Sequence, residues 1–123
     1  MGEGRPPLPP CHGSLMAASR SDAVLQVLAG YFRLLSEPSR LRILRSLAAG
    51  ERSVQEIVAD TGLGQPHVSR QLGLMAAEGL LGRRKEGVRV FYALRDARLP
   101  ELLDLAEASR REFLSGRLGE LEG

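Results

Sequence analysis

The sequence predicts a mainly α-helical chain carrying one β-hairpin, and three observations predict it. Apolar residues recur at helical spacing from Ser21 to Gly79. Serine, proline and glycine interrupt that run at intervals of one short helix. Between Leu81 and Leu94 the period drops to two, before helical spacing returns.

Taken in order, residues 1–20 carry Pro6, Pro7, Pro9 and Pro10 with no periodicity, and are expected to be a disordered tail. The folded domain is expected over residues 21–118, with a short tail over 119–123. A first helix is expected from Asp22 to Leu35, where Val24, Leu28, Phe32 and Leu35 form a stripe. Ser36-Glu37-Pro38 breaks the chain and restarts it, because proline suits the first turn of a helix. Leu41, Leu44 and Leu47 then form the stripe of a second helix that stops at Gly50.

Ser53-Val54-Gln55-Glu56 has the form of a capping box, in which the serine hydroxyl satisfies a free amide and the glutamate reaches back. Val54, Ile57 and Val58 are the expected buried face of this third helix, which Thr61-Gly62 end. After a glycine-containing turn, Gln65-Pro66 open a fourth helix that buries Val68, Leu72 and Met75 and ends near Glu78-Gly79. Strands are expected over Leu81–Lys85 and Val88–Leu94, flanking Glu86-Gly87. A last helix follows near Leu99, with Leu102, Leu103, Ala106, Phe113 and Leu114 at helical spacing. Two helices joined by a tight turn and followed by a hairpin make a winged helix-turn-helix, here in the order four helices, two strands, one helix.

Composition narrows the class. At 123 residues the chain has room for one domain, and 43% apolar with 26% charged residues is ordinary for a globular one. No apolar run approaches the roughly 20 residues that span a bilayer, and Met1 to Arg20 hold no signal-peptide core, so a cytoplasmic location is expected. Cys11 is the single cysteine, which excludes an internal disulfide and an all-cysteine metal cage. The two histidines, His12 and His67, are far apart, and no nucleophile–base pair or phosphate loop is present, so no enzyme is expected. Net charge is only +2, but it is unevenly placed. Eleven basic and seven acidic residues lie between Ser36 and Arg98, against three and six from Leu99 onward. The middle of the chain is where a polyanion would dock.

A helix that enters the major groove needs polar side chains able to reach base edges. The fourth helix offers Gln65, His67, Ser69, Arg70 and Gln71 between its apolar positions. The hairpin carries Arg83, Arg84, Lys85 and Arg89 with a single acid, Glu86, among them. Four cations on a narrow ribbon repel one another unless negative charge lies alongside, and phosphate would supply it. Arg40, Arg42 and Arg45 of the second helix fall on different faces. The expected partner is double-stranded DNA. The alternative is a winged helix that binds protein and not DNA, but protein interfaces favour aromatic anchors over rows of cations. Leu99, Leu102, Leu103, Ala106, Phe113 and Leu114, with Leu25, Tyr31 and Leu34, exceed what one small domain can cover, so a homodimer through the terminal helices is expected.

The stretches Phe32–Leu44, Gly62–Leu72, Glu78–Leu81 and Arg84–Tyr92, in this order, resemble the ArsR/SmtB family of bacterial repressors. The resemblance runs from about Val24 to Leu105. It implies a homodimer paired through the first and last helices, an inverted-repeat operator, and an effector, often a metal ion, that releases the DNA. The family's third-helix metal site uses Cys-Val-Cys followed by an acid, where this chain has Ser53, Val54, Gln55 and Glu56. Its last-helix site, placed on Asp104, falls on Ala106, Arg117 and Glu120, so both carboxylates are kept and both imidazoles are lost. Without thiolate or imidazole a zinc site is weak, and no metal or cofactor is assigned. Some members of the family take ligands from the N-terminal tail, and Cys11-His12 would fit that pattern.

Overall fold

The computed structural model describes residues 21–111, 113, 115 and 116. The tail expected over residues 1–20, Leu114, and the segment 117–123 with Arg117 and Glu120 lie outside the described residues. The chain divides into two compact units, one ending at Leu35 and one beginning at Ser36.

The first unit contributes helix α1, Asp22–Leu34. Ser21 caps it, its Oγ accepting from the Val24 amide at 3.3 Å. Asp22 in the first turn and Arg33 in the last complement the helix dipole. The apolar stripe is where the sequence puts it, yet no residue of α1 is buried. Val24, Leu28 and Phe32, expected to be its covered side, are about half exposed, and Val27 is 75% exposed.

The second unit holds the core. Helix α2, Pro38–Leu47, starts on Glu37, whose carboxylate accepts from the Ser39 amide at 2.7 Å. Its buried face centres on Ile43, Leu44 and Leu47, which leaves Leu41 half-buried at the edge of the stripe expected of it. Strand β1, Arg52–Ser53, leads directly into α3, Val54–Thr61. The capping box forms as its residues require. The Glu56 amide donates to Ser53 Oγ at 3.1 Å, and the Ser53 amide donates to Glu56 Oε1 at 2.8 Å. Of the three residues expected to be buried on α3, only Ile57 is fully covered, while Val54 and Val58 are half-buried. Gly62 ends the helix at φ 74°, a left-handed conformation that glycine adopts without steric cost.

Helix α4, Gln65–Ala77, buries Val68, Leu72 and Met75 completely. Strands β2, Leu81–Glu86, and β3, Arg89–Leu94, complete an antiparallel sheet in the order β1-β3-β2. Two details differ from the sequence expectation. Glu86 belongs to β2, paired with Arg89, and Val88 sits in the loop, 96% exposed. The loop is therefore the two residues Gly87-Val88, with φ 62° at Gly87 alone, the pattern of a type II′ turn. Strand β1 was not expected, because two residues are too few to show a period. Its pairing of Arg52 with Tyr92 and Ser53 with Phe91 ties the wing to the start of α3.

Helix α5, Leu99–Ser109, follows, with further helical residues at 111, 113, 115 and 116. Leu99 is buried, Leu102 and Leu103 half-buried, and Ala106 and Phe113 exposed. The core of this unit is thus Ile43, Leu44, Leu47, Ile57, Val68, Leu72, Met75 and Leu81, drawn from α2, α3, α4 and the base of the wing.

Candidate nucleic-acid interface

A helix turns about 100° per residue, so burying Val68, Leu72 and Met75 settles where every other side chain of α4 lies. Arg70 lies opposite that face and is exposed, with no hydrogen bond or ion pair among the described residues. Gln65 and Ser69 occupy one shoulder of the helix and are also exposed. His67 and Gln71, one turn apart, occupy the other shoulder and are half-buried.

That second shoulder is held by the N-terminal turn of α2. His67 Nε2 lies 2.9 Å from Ser39 Oγ, and Arg40 Nε donates to Gln71 Oε1 at 2.7 Å. Ser39 Oγ in turn donates to Glu37 Oε1. The Ser39 hydroxyl, the Ser39 amide and the neighbouring Arg40 together hold the Glu37 carboxyl below its ordinary range. Nothing in the sequence marks Glu37, Ser39 or Arg40 as neighbours of α4.

On the wing, alternation divides the four cations between two faces. Arg83 and Lys85 share one face with Tyr92 and Val90, and both are exposed without a partner among the described residues. Arg84 and Arg89 share the other with Phe91, their guanidinium carbons 4.6 and 5.2 Å from the ring centre. Arg84 takes both oxygens of Glu51, at 3.1 and 2.8 Å, and one of Glu86 at 2.8 Å. Those carboxylates drive its pKa upward, and the hydrogen bond from Arg84 lowers that of Glu51. The negative charge that phosphate was expected to bring to Arg84 is therefore supplied from within the chain. Arg89 Nη2 donates to Ser53 Oγ at 3.1 Å, so the wing also bonds to the cap of α3. The period of two could have separated Arg83 and Lys85 from Arg84; Glu51 carries no such signal.

The remaining arginines of α2 divide likewise. Arg45 reaches α5, donating to Asp104 at 2.6 Å and to Glu107 at 3.2 Å. Arg42 lines an open cleft of about 440 Å³ with Leu41, Arg45, Ser46, Asp60 and Thr61. Asp104, one of the two carboxylates left from the last-helix metal pattern, thus already faces a cation. Ser53, at the place of the third-helix thiolate, is buried and committed to the capping box. Among the described residues no cluster of histidine, cysteine, aspartate and glutamate could hold a metal ion, and no helix is long and apolar enough to cross a membrane.

A helix-turn-helix with a polar, outward arginine on its second helix, followed by a cationic two-stranded wing, defines a winged helix-turn-helix DNA-binding protein. Residues 37–81 match the family model described as bacterial regulatory protein, arsR family. The HTH-type transcriptional regulator Rv0081 of Mycobacterium tuberculosis is 33% identical over 103 residues, covering 83% of this chain and 90% of the relative. Its crystal structure superposes with a TM-score of 0.68 at 32% identity, covering 80% of this chain and 99% of that one. The "Probable mercury resistance operon repressor" of Streptomyces lividans is 34% identical, covering 80% of this chain and 78% of its own length. The homodimeric winged helix-turn-helix domain Mb0332 of Mycobacterium bovis is similar at a TM-score of 0.65 and 32% identity, covering 76% of this chain and 86% of that one. This chain belongs to the ArsR family of bacterial regulatory proteins and is a DNA-binding transcriptional regulator.

Proposed function

We propose that the chain is a homodimeric repressor, acting in the cytoplasm, that places α4 in the major groove of an inverted-repeat operator. Gln65, His67, Ser69, Arg70 and Gln71 read base edges. Arg83, Lys85 and Arg89 of the wing hold the phosphate backbone, and Arg84 joins them only by giving up Glu51 and Glu86. The observation that carries this reading is Arg70, an exposed cation opposite the buried face of α4 with no partner among the described residues. A guanidinium there is suited to take O6 and N7 of a guanine together. Pairing of two chains is supported by the uncovered apolar residues of α1, by Leu105 and Phe113 beyond α4, and by the homodimeric relative. Two reading helices then span half-sites about one DNA turn apart.

The test is fluorescence anisotropy on duplex DNA from the chain's own upstream region, at several salt concentrations, repeated with zinc, nickel and a thiol oxidant. Tight, salt-sensitive and sequence-selective binding is expected, and the additive that releases the DNA names the class of effector. Affinity equal to that for random duplex would sink the reading for this operator. Arg70→Ala is expected to relax preference at one base position per half-site. Replacing Arg83 and Lys85 together by Ala is expected to weaken all sequences alike and to flatten the salt dependence by about two phosphate contacts.

A further inference from the structure

The shoulder of α4 that carries His67 and Gln71 does not face water on its own terms. Each side chain is tied to α2, and the chemistry of the tie decides which atoms remain for DNA. An arginine has donors only, so the amide atom 2.7 Å from Arg40 Nε must be the oxygen of Gln71. What Gln71 has left to offer is its amide nitrogen with two donors, and only the second lone pair of an oxygen whose direction Arg40 fixes. The second tie gives the complementary answer. The ionised Glu37 carboxylate has acceptors only, so the single hydroxyl proton of Ser39 points at Glu37. Ser39 Oγ must then accept from His67, which places a proton on Nε2. In the neutral ring this leaves Nδ1 bare, as an acceptor.

We infer that Glu37, which caps α2, and Ser39 and Arg40 in its first turn are positioning residues for sequence readout, setting His67 to present an acceptor and Gln71 a donor at the groove. The inference rests on the reading that α4 lies in the major groove, and it makes that reading more specific. An acceptor on His67 Nδ1 matches the exocyclic amino group of cytosine or adenine. A donor on Gln71 matches purine N7, guanine O6 or thymine O4. The paired donor and acceptor with which a free glutamine grips adenine are disfavoured while Arg40 holds the oxygen, because one lone pair is taken and the amide plane is fixed by that bond.

The test uses the full chain and a pool of duplexes randomised over about 20 base pairs, the span of two half-sites. Bound sequences are selected and counted for wild type and for variants. Ser39→Ala removes the acceptor and frees the ring, so the preference at the His67 position is expected to fall by roughly fivefold or more. Ser39→Thr keeps the hydroxyl and should keep the preference. Arg40→Met releases the Gln71 oxygen and should shift that position toward adenine by roughly fivefold, whereas Arg40→Lys keeps a donor and the wild-type choice. For Ser39→Ala, Ser39→Thr and Arg40→Lys, which leave the charge unchanged, the salt dependence should stay the same.

Should Ser39→Ala or Arg40→Met melt early, Gln71→Glu carries the same test. It keeps an acceptor for Arg40 but loses the donor, and should move preference to amino-bearing bases. Wild-type sequences selected by Ser39→Ala, Arg40→Met and Gln71→Glu would overturn the inference. His67→Ala and Gln71→Ala separate the two levels of failure. If they change the selected sequence while the α2 variants do not, positioning alone is wrong. If they too select the wild-type sequence, this shoulder reads no bases and the inference falls, while the groove assignment stands or falls with Arg70→Ala.

Discussion

Helices α1 and α4 are each 13 residues long and each carries an apolar stripe, yet they end in opposite circumstances. On α4 three residues, Val68, Leu72 and Met75, are fully buried, although its stripe is the less regular of the two. On α1 no residue is buried, although Val24, Leu25, Val27, Leu28 and Phe32 are all apolar. Amphipathicity says which face of a helix needs covering; it does not say what covers it. For α4 the cover is the rest of its own unit. For α1 no described residue of the helix is buried, and a relative of this chain is homodimeric.

The contrast can be broken most forcefully in the core. Leu72→Ala removes buried methyl groups and leaves a cavity, and should cost about 2–5 kcal/mol, read as a loss of chain stability in urea. A change under about 1 kcal/mol would mean that the core is less tightly packed than its burial implies. On α1, Phe32→Glu should instead act on assembly, weakening dimerisation by roughly tenfold or more as a charge enters an apolar interface. Sedimentation at graded concentrations checks this, and an unchanged dimer would remove α1 from the interface.

Smaller effects sharpen the same picture within the second unit. Ser53→Ala removes the hydroxyl that caps α3 and accepts from Arg89, and should cost about 1 kcal/mol, lowering the midpoint by several degrees. Gly73→Ala should stabilise by about 0.5–1 kcal/mol, since a Cβ there meets nothing within 4 Å and glycine is a poor helix former. If the same variant also weakens DNA binding, close approach to the groove is what the glycine serves.

The smallest effect is the acid response. Glu37, Glu51 and Glu56 are lowered from the ordinary 4.5, chiefly by hydrogen bonds from Ser39, Arg84 and Ser53 respectively. Asp96 is lowered from 3.8 to about 2, chiefly by its hydrogen bond with the Arg98 side chain. Groups with lowered folded values leave the unfolded chain holding more protons as the pH falls. Their contribution is therefore present above about pH 4.5 and lost as pH falls through the folded values. Thermal melts from pH 7 to pH 3 should decline only in that lower window. Because Glu51, Glu56 and Asp96 are exposed and Glu37 only half-buried, the loss should be modest.

Local chemistry made much of this protein legible in its sequence. Pro38 and Pro66 open helices, Ser53 and Glu56 build a cap, Gly62 closes a helix, and Gly87 turns the wing. Each of these acts within about four residues, through dihedral preference or a single hydrogen bond, so the order of the helices and the hairpin followed from spacing, while strand β1 did not. What the tertiary structure decided is which polar groups are left over. Arg84 meets Glu51 across 33 residues, Arg45 meets Asp104 across 59, and His67 and Gln71 meet α2 across 28 and 31. Such pairs arise only when packing of the apolar faces brings distant segments together, and no local pattern records them. Residue type determined that α4 and the wing are polar and cationic; packing determined that Arg70, Arg83 and Lys85 are the cations held in reserve.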